Sequence, residues 1–213
     1  MPVVTYLLVA IVAYLLGSIP FGFLLVWLFR KEDIRSKGSG NIGATNVVRS
    51  GAKGLGALTF LLDACKGYLA VLLASRIAEL PGLAVVPHAN VAAVAALCAV
   101  LGHMYTMWLG FKGGKGVATA FGVFVALAPW AALASLGVFV VVFALSRYVS
   151  LASILAAAAF PAFALLLRHA TYGMCLTAAI FLVPAIVILK HHQNIGRLLH
   201  GTEYRFGKAK AIA

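Results

Sequence analysis

The sequence has little charge, and acidic residues are especially scarce. Only 10% of its 213 residues are charged, with five Asp and Glu against 17 Lys and Arg, whereas 63% are hydrophobic. The mean hydropathy is +1.04. Soluble domains carry about 25% charged and about 45–50% apolar residues. The composition therefore excludes an ordinary soluble domain and predicts an integral membrane protein that crosses the bilayer several times.

Cysteines and clustered carboxylates are also rare. The three cysteines, Cys65, Cys98 and Cys175, lie inside apolar runs without CxxC spacing. This excludes a disulfide framework and predicts small residues of the core. The five carboxylates are not grouped in sequence as oxygen ligands of a cation. We therefore expect no metal site and no cofactor.

The net charge of +12 could indicate a nucleic-acid-binding protein. The basic residues, however, interrupt long apolar runs and do not form the basic face of a soluble domain. This pattern favours membrane lipids and phosphorylated substrates as partners over nucleic acid.

Apolar runs divide the chain, and no polar linker separates a second domain from them, so residues 1–213 are expected to form one membrane domain. The first run begins directly after Met1-Pro2 without a basic segment, which favours a retained spanning helix over a cleaved signal peptide. A helix needs about 20 residues to cross the bilayer. The runs occupy residues 3–29, 55–75, 88–109, 117–146, 149–167 and 172–189.

The distribution of basic residues predicts which loops face the cytoplasm. Lys and Arg concentrate at 30–53 and at 190–210, and the positive-inside rule places both segments inside. Two runs lead from the first segment to Lys115, which therefore returns to the same side. An even number of crossings must follow, and a turn at Ala128-Pro129 supplies it, because proline disfavours helix in the preceding residue.

This reasoning predicts an all-α polytopic membrane protein with seven transmembrane helices, its N-terminus outside and its C-terminus cytoplasmic. The two helices around Pro129 would be short, at about 14 and about 17 residues, and would reach about 21 and about 26 Å. A six-helix topology, with one basic motif on the opposite face, is the alternative.

The segment GSGNIGATN at 38–46 has the composition of an anion-binding loop. Glycines allow backbone N–H groups to approach a ligand, and short polar side chains add further donors. A phosphate fits such a loop, although a turn that only breaks the helix is the alternative. The predicted ligands here are Gly38, Ser39, Gly40, Asn41, Thr45, Asn46 and Arg49.

A second motif, FKGGKGVAT at 111–119, places Gly113, Gly114 and Lys115 just before an apolar helix. A lysine at a helix N-terminus opposes the helix dipole, which favours a lysine that binds an anionic ligand. Gly116 stands where a nucleotide-binding P-loop needs Ser or Thr, so nucleotide hydrolysis is disfavoured.

The third motif, HHQNIGRLLHGTEYRF at 191–206, can project His191 and Asn194 together from one helix face. The segment RYVSLAS at 147–153 adds Ser153, whose hydroxyl could instead bond a carbonyl one turn earlier.

Two charges interrupt the second apolar run. Asp63 and Lys66 lie three residues apart, and pairing offsets part of the cost of placing each in the membrane. We expect an interior-facing pair at the floor of the site. His103 could contribute to the site or be a core histidine.

These motifs resemble those of the bacterial acyl-phosphate-dependent glycerol-3-phosphate acyltransferases, and the resemblance covers the whole chain. They are LLGSIPFG at 15–22, GSGNIGATN with Arg49, LDACKG at 62–67, LGHMY at 101–105, FKGGKGVAT, RYVSLAS and HHQNIGRLLHGTE at 191–203.

The resemblance implies a seven-helix enzyme of the bacterial inner membrane with its active site at the cytoplasmic face. It implies transfer of a fatty acyl group from acyl phosphate to the 1-hydroxyl of glycerol 3-phosphate, which yields lysophosphatidate and phosphate. This reaction is the first acylation step of phospholipid synthesis. We expect no obligatory protein partner.

The resemblance also implies roles for individual residues. Phosphate binding falls to Ser39, Asn41 and Arg49, and Lys115 neutralises substrate phosphate. The glycerol-phosphate pocket is completed by Ser153, His191 and Asn194. The third motif of the family is usually less rich in histidine, so the resemblance assigns no role to His192.

The arrangement of histidines bears on the mechanism. None of the six is followed five residues later by Asp, which removes the usual base for deprotonating the attacking hydroxyl. We expect substrate-assisted catalysis, in which a phosphate oxygen takes the proton while Ser39 and Lys115 fix the geometry. His191 is the rival base. A transporter or exchanger of organic phosphates is the alternative function, and a structural membrane subunit is a third.

Overall fold

The computed structural model describes residues 1–167 and 171–207, and all regular elements in these ranges are helical. Two short 3-10 turns, Ile34–Ser36 and Met107–Leu109, accompany the α-helices. The α-helices are α1 Pro2–Ser18, α2 Phe21–Arg30, α3 Ala44–Arg49, α4 Lys53–Ala78, α5 His88–Met104, α6 Val117–Leu127, α7 Pro129–Ser146, α8 Val149–Leu166, α9 Met174–Leu189 and α10 His192–Leu199.

Within the described ranges, five helical segments are long and apolar enough to cross a membrane. They are Pro2–Arg30, which joins α1 and α2, then α4, His88–Leu109, α7 and α8. The pair α9 and α10, bent by 54°, would make a sixth if the two helices formed one span, and α6 is a shorter apolar helix of 11 residues. The all-helical membrane fold is therefore confirmed, whereas seven crossings and the orientation of the termini stay predictions.

The predicted turn at Ala128-Pro129 is present. Ala128 leaves the helical region, with φ −151° and ψ 70°, and α7 begins at Pro129. The helices α6 and α7 pack on each other, and both line a shared cavity, α6 with Val117 and Phe124 and α7 with Ala132 and Phe139. The first helix has 11 residues, fewer than the expected length of about 14 residues, because it begins only at Val117 and ends at Leu127, before the turn at Ala128.

The first apolar run is interrupted, which the sequence analysis did not anticipate. Pro20 disfavours helix at Ile19, whose ψ of 116° ends α1. The helix resumes at Phe21. The interruption leaves the Ile19 carbonyl available to a side chain of another helix, which is important for the site described below.

Small residues allow the helices to approach closely, as is common in membranes. A side chain at Gly17 would collide with the backbone of Ala99, where α1 crosses α5. Where α4 packs on α6, Gly122 lies against the backbone of Ala64 in the same way. Large apolar side chains remain exposed on the outer surface, where they would face lipid.

The three cysteines differ from the prediction that they belong to the core. Cys65 and Cys175 are exposed, and Cys98 is half-buried. The reason is that the outer surface of a membrane protein is as apolar as its interior, so an apolar run does not indicate which face of a helix is buried.

Candidate active site

One partly open cavity of about 870 Å³ collects the three polar motifs and the segment RYVSLAS. Its wall includes α3, the loop before α6, the start of α8, the bend between α9 and α10, and the chain after α10. Every predicted ligand that has a side chain lines it: Ser39, Asn41, Thr45, Asn46, Arg49, Lys115, Ser153, His191 and Asn194.

The first motif is organised around the side chain of Asn46. Its Oδ1 accepts a hydrogen bond from the backbone N–H of Ser39 at 2.8 Å. Its Nδ2 lies 2.8–3.1 Å from the carbonyl oxygens of Ile34, Lys37 and Asn41. This buried amide therefore shapes the loop from within, and a direct contact with substrate stays a prediction.

Four predicted glycines do not line the cavity. Gly38 and Gly40 have φ of +55° and +71°, which a residue with a side chain rarely adopts. The N–H groups of Gly113 and Gly114 donate to the carbonyls of Met104 and His103, at 3.1 and 3.0 Å. The backbone N–H groups of Gly113 and Gly114 are therefore already hydrogen-bonded within the protein. A contact between any of the four glycines and substrate stays a prediction.

Lys115 is half-buried, and its Nζ donates to Oδ1 of Asn194. Burial lowers the pKa of Lys115 to about 8, with Glu203 opposing the shift and the cations Arg197 and Arg49 adding to it. The ammonium thus lies in a partly desolvated site where an anionic ligand would stabilise it.

His191 is 3% exposed and lies where α9 ends. Its Nδ1 lies 2.8 Å from the carbonyl of Val187, which can only accept, so Nδ1 carries the proton and Nε2 is left as an acceptor. Burial lowers the pKa of His191 to about 4, although the hydrogen bond to Val187 opposes the shift. The imidazole is therefore neutral at pH 7.

Glu203 belongs to the third polar motif, but the sequence analysis assigned it no role in the site. Its carboxylate accepts hydrogen bonds from Ser150, Asn194 and Arg197 at 3.1, 2.8 and 2.7 Å. Burial alone would raise the pKa of Glu203, but these donors hold it below its usual value. Glu203 thus links α8 and α10 to the chain after α10. Nothing in the local sequence indicates that these distant segments are in contact.

The chain after α10 also supplies an aromatic wall to the cavity. The guanidinium of Arg49 lies 4.1 Å from the ring centre of Tyr204. The backbone N–H of Phe206 donates to the carbonyl of Arg147, and the Phe206 ring packs edge-on against Tyr204. Tyr204 and Phe206 both line the cavity and were likewise not predicted.

The cavity floor contains the expected charged pair together with a histidine. Asp63 and Lys66 form a buried ion pair, and Nδ1 of His103 lies 3.5 Å from Oδ1 of Asp63. Asp63 and His103 line the cavity. The site therefore does contain a carboxylate next to a histidine. No fixed spacing in the sequence marks this pair, because the two residues come from different helices.

An apolar groove of about 660 Å³ adjoins this polar cavity. The two spaces share Phe60, Val117, Phe139 and Ser153. The hydroxyl of Ser153 donates to the carbonyl of Val149, four residues earlier, at 2.8 Å. This is the alternative that the sequence analysis gave for Ser153, a bond within its own helix.

The pKa of Lys115 predicts how substrate affinity depends on pH. Because this pKa is depressed to about 8, the ammonium is present below that pH and is lost above it. A phosphate ester is a dianion only above its second pKa of about 6. For an anionic substrate, kcat/KM should therefore be highest between about pH 6 and about pH 8, with the alkaline decline due to Lys115.

The control for this profile is Lys115→Arg, because a guanidinium stays protonated up to about pH 12. The alkaline limb of kcat/KM should move to higher pH in this variant. An alkaline limb at an unchanged pH would contradict the assignment to Lys115.

Taken together, the fold and the cavity define a helical membrane protein with a polar chamber and an adjoining apolar groove. The glycerol-3-phosphate acyltransferase family matches residues 7–201. Glycerol-3-phosphate acyltransferases of Syntrophotalea carbinolica and Geobacter sulfurreducens are 48% and 49% identical to the chain. These alignments cover 95% and 94% of the chain, and 98% and 97% of the relatives.

Solved structures agree with this match. A crystal structure of an integral membrane glycerol 3-phosphate acyltransferase, PlsY, in its glycerol 3-phosphate form has a TM-score of 0.84 and 42% identity, and the match covers 95% of this chain and 96% of that one. The lysophosphatidic acid form of PlsY has a TM-score of 0.82, again at 42% identity, with 95% of each chain covered. The present chain belongs to the glycerol-3-phosphate acyltransferase family and is an acyltransferase.

Proposed function

We propose that the protein transfers a fatty acyl group from acyl phosphate to the 1-hydroxyl of glycerol 3-phosphate, forming lysophosphatidate and phosphate. The observation that carries this proposal is the joining of a polar chamber, which contains Arg49 and Lys115, to an apolar groove through four shared residues. The chamber suits two phosphate groups, and the groove suits a hydrocarbon chain. The reacting carbonyl would lie where the two spaces meet.

The proposed chemistry depends mainly on binding and orientation. The substrate hydroxyl oxygen forms a bond to the acyl carbon, the bond from that carbon to the phosphate oxygen breaks, and phosphate leaves. The hydroxyl proton passes to a phosphate oxygen, whose second pKa is about 6. Lys115 and Arg49 balance the negative charge, and fixing two reactants side by side can supply much of the rate.

His191 remains the rival base. Its Nε2 is free to accept a proton, but a pKa of about 4 makes the neutral imidazole a weak base in the free enzyme. This low pKa supports the substrate-assisted version.

We further propose seven crossings in the bacterial inner membrane, with the cavity facing the cytoplasm. The position of α1 supports an odd number of crossings. Thr5, at the start of α1, bonds the carbonyl of Ala84, next to the start of α5. The cavity, by contrast, adjoins His103, near the end of α5. Residues of the segment 203–206, after α10, line the cavity, so they and the start of α1 lie at opposite ends of the bundle.

A direct assay tests the proposed function. Purified full-length protein in detergent, given acyl phosphate and glycerol 3-phosphate without another protein, should release lysophosphatidate and phosphate in equal amounts. Acyl-CoA in place of acyl phosphate should give no product. If lysophosphatidate does not form from acyl phosphate, while vesicles containing the protein exchange organic phosphates, the transporter alternative would be correct.

A further inference from the structure

The three ionisable side chains below the cavity are among the most buried polar groups described in this chain. Asp63, Lys66 and His103 are 2%, 2% and 4% exposed, and they lie within α4 and α5. Placing a charge in the membrane interior is costly, so such residues usually serve a function. Neither the proposed phosphate contacts nor the acyl groove uses them.

Lys66 holds this cluster in place. Its Nζ lies 2.7 Å from the carbonyl of Ile19, which the interruption between α1 and α2 frees, and 3.0 Å from Nδ1 of His103. An ammonium group can only donate, so Nδ1 of His103 accepts and its Nε2 carries the proton. The imidazole in turn packs against Gly114, next to Lys115.

Asp63 is left with unused capacity to accept hydrogen bonds. Its Oδ1 is buried and makes no hydrogen bond of normal geometry, although the ammonium of Lys66 lies beside it. A carboxylate can accept about four hydrogen bonds. Asp63 also lines the cavity one helical turn from Phe60, one of the residues at which the chamber and the groove meet.

The cavity is lined by two cations, Arg49 and Lys115, and by two carboxylates, Glu203 and Asp63. The Glu203 carboxylate already accepts hydrogen bonds from three side chains. Arg49 and Lys115 attract an anion, whereas the Asp63 carboxylate would repel it and prefers a hydroxyl donor. Glycerol 3-phosphate has this pattern, with an anionic group at one end and hydroxyls on its other two carbons. The 1-hydroxyl must face the acyl carbonyl, which leaves the 2-hydroxyl for recognition.

We propose that Asp63 accepts a hydrogen bond from the 2-hydroxyl of the glycerol backbone. Lys66 is the positioning residue that holds the carboxylate, and His103 is the positioning residue that packs against the adjoining Lys115 loop. This inference rests on the proposed function and adds to it the recognition of the acceptor. It makes Asp63 the group that distinguishes glycerol 3-phosphate from other phosphorylated alcohols.

The test compares glycerol 3-phosphate with 3-hydroxypropyl phosphate, which lacks only the 2-hydroxyl, as acceptors for acyl phosphate. The wild-type protein should prefer glycerol 3-phosphate by at least about tenfold in kcat/KM, since a site built to bond a hydroxyl rejects the analogue that lacks it. In Asp63→Asn the amide oxygen should face Lys66, which leaves the NH2 group towards the cavity. We expect the preference to fall to about threefold or less, mainly through loss of activity on glycerol 3-phosphate.

A double variant, Asp63→Leu with Lys66→Met, controls for folding, because it removes both buried charges and retains their volume. It should lose the preference as well. Asp33→Asn, which changes the exposed carboxylate that pairs with Arg35, should keep both the rate and the preference of the wild type.

The outcomes separate this inference from the function on which it rests. An active wild type that uses both acceptors equally, or variants whose kcat/KM falls by the same factor on both, would overturn the role of Asp63 alone. A wild type that forms no product from either acceptor would instead overturn the proposed function.

Discussion

Replacing Lys115 with methionine should lower kcat/KM for glycerol 3-phosphate by about a thousandfold. Methionine retains most of the length of lysine but removes the positive charge that faces the cavity. Loss of one preorganised electrostatic contact to a reacting group typically costs about 10²–10³ in rate. The measurement is steady-state acyl transfer by the purified variant at pH 7, where Lys115, with a pKa of about 8, is mostly charged in the wild type.

Lys112 provides a matched control in the same loop. It lies three residues earlier and is exposed, and it does not line the cavity. Lys112→Met removes an identical charge from the same segment and should change kcat/KM by less than about threefold, since exposed charges contribute little. Equal losses in both variants would mean that the net charge of the loop matters, and not the contact made by Lys115.

Replacing His191 with glutamine should lower kcat by about tenfold to about a thousandfold and leave the affinity for glycerol 3-phosphate within about threefold. This is the range that loss of a positioning hydrogen bond or modest proton-transfer assistance produces. His191 is neutral in the free enzyme, and its Nδ1 donates to the Val187 carbonyl. Glutamine retains a donor and an acceptor but cannot take up the proton.

The size of the loss decides which group takes the hydroxyl proton. A fall in kcat above about 10⁴, with substrate binding intact, exceeds ordinary general-base contributions and would reject substrate-assisted catalysis in favour of His191. His192→Gln is the control, because His192 is the exposed neighbour and its Nδ1 bonds the carbonyl of Leu189. We expect that variant to retain nearly full activity.

Local composition was a good guide to the residues of the candidate site. Charge and glycine are rare in an apolar chain unless water or a ligand requires them, so the polar motifs marked the cavity lining directly. The structure brings Ser39, Lys115 and His191 to the same cavity from three different segments. The glycines were harder to interpret, because the sequence does not reveal whether a backbone N–H faces a ligand or, as at Gly114, a carbonyl of another helix.

The sequence did not reveal which distant segments come into contact. Glu203 bonds Ser150, which lies 53 positions away, and His103 adjoins Asp63 from another helix. Neither pair has a fixed spacing, so a search for short motifs could not find it. The same limit applies to Tyr204, which becomes part of the cavity only because the chain after α10 folds back over Arg49.

By itself, the sequence determined that this protein is a helical membrane protein with polar motifs that gather at one site and a turn at Pro129. These properties follow from local chemistry, because hydrocarbon tolerates few charges and proline interrupts a helix wherever it falls. Only the tertiary structure decided which faces of the helices are buried and how the Ile19–Pro20 interruption is used. It alone placed Asp63, Lys66 and His103 in one cluster. The outside and the inside of this protein are both apolar, so hydropathy does not distinguish the buried face of a helix from the face towards lipid. The close packing of the helices does distinguish them.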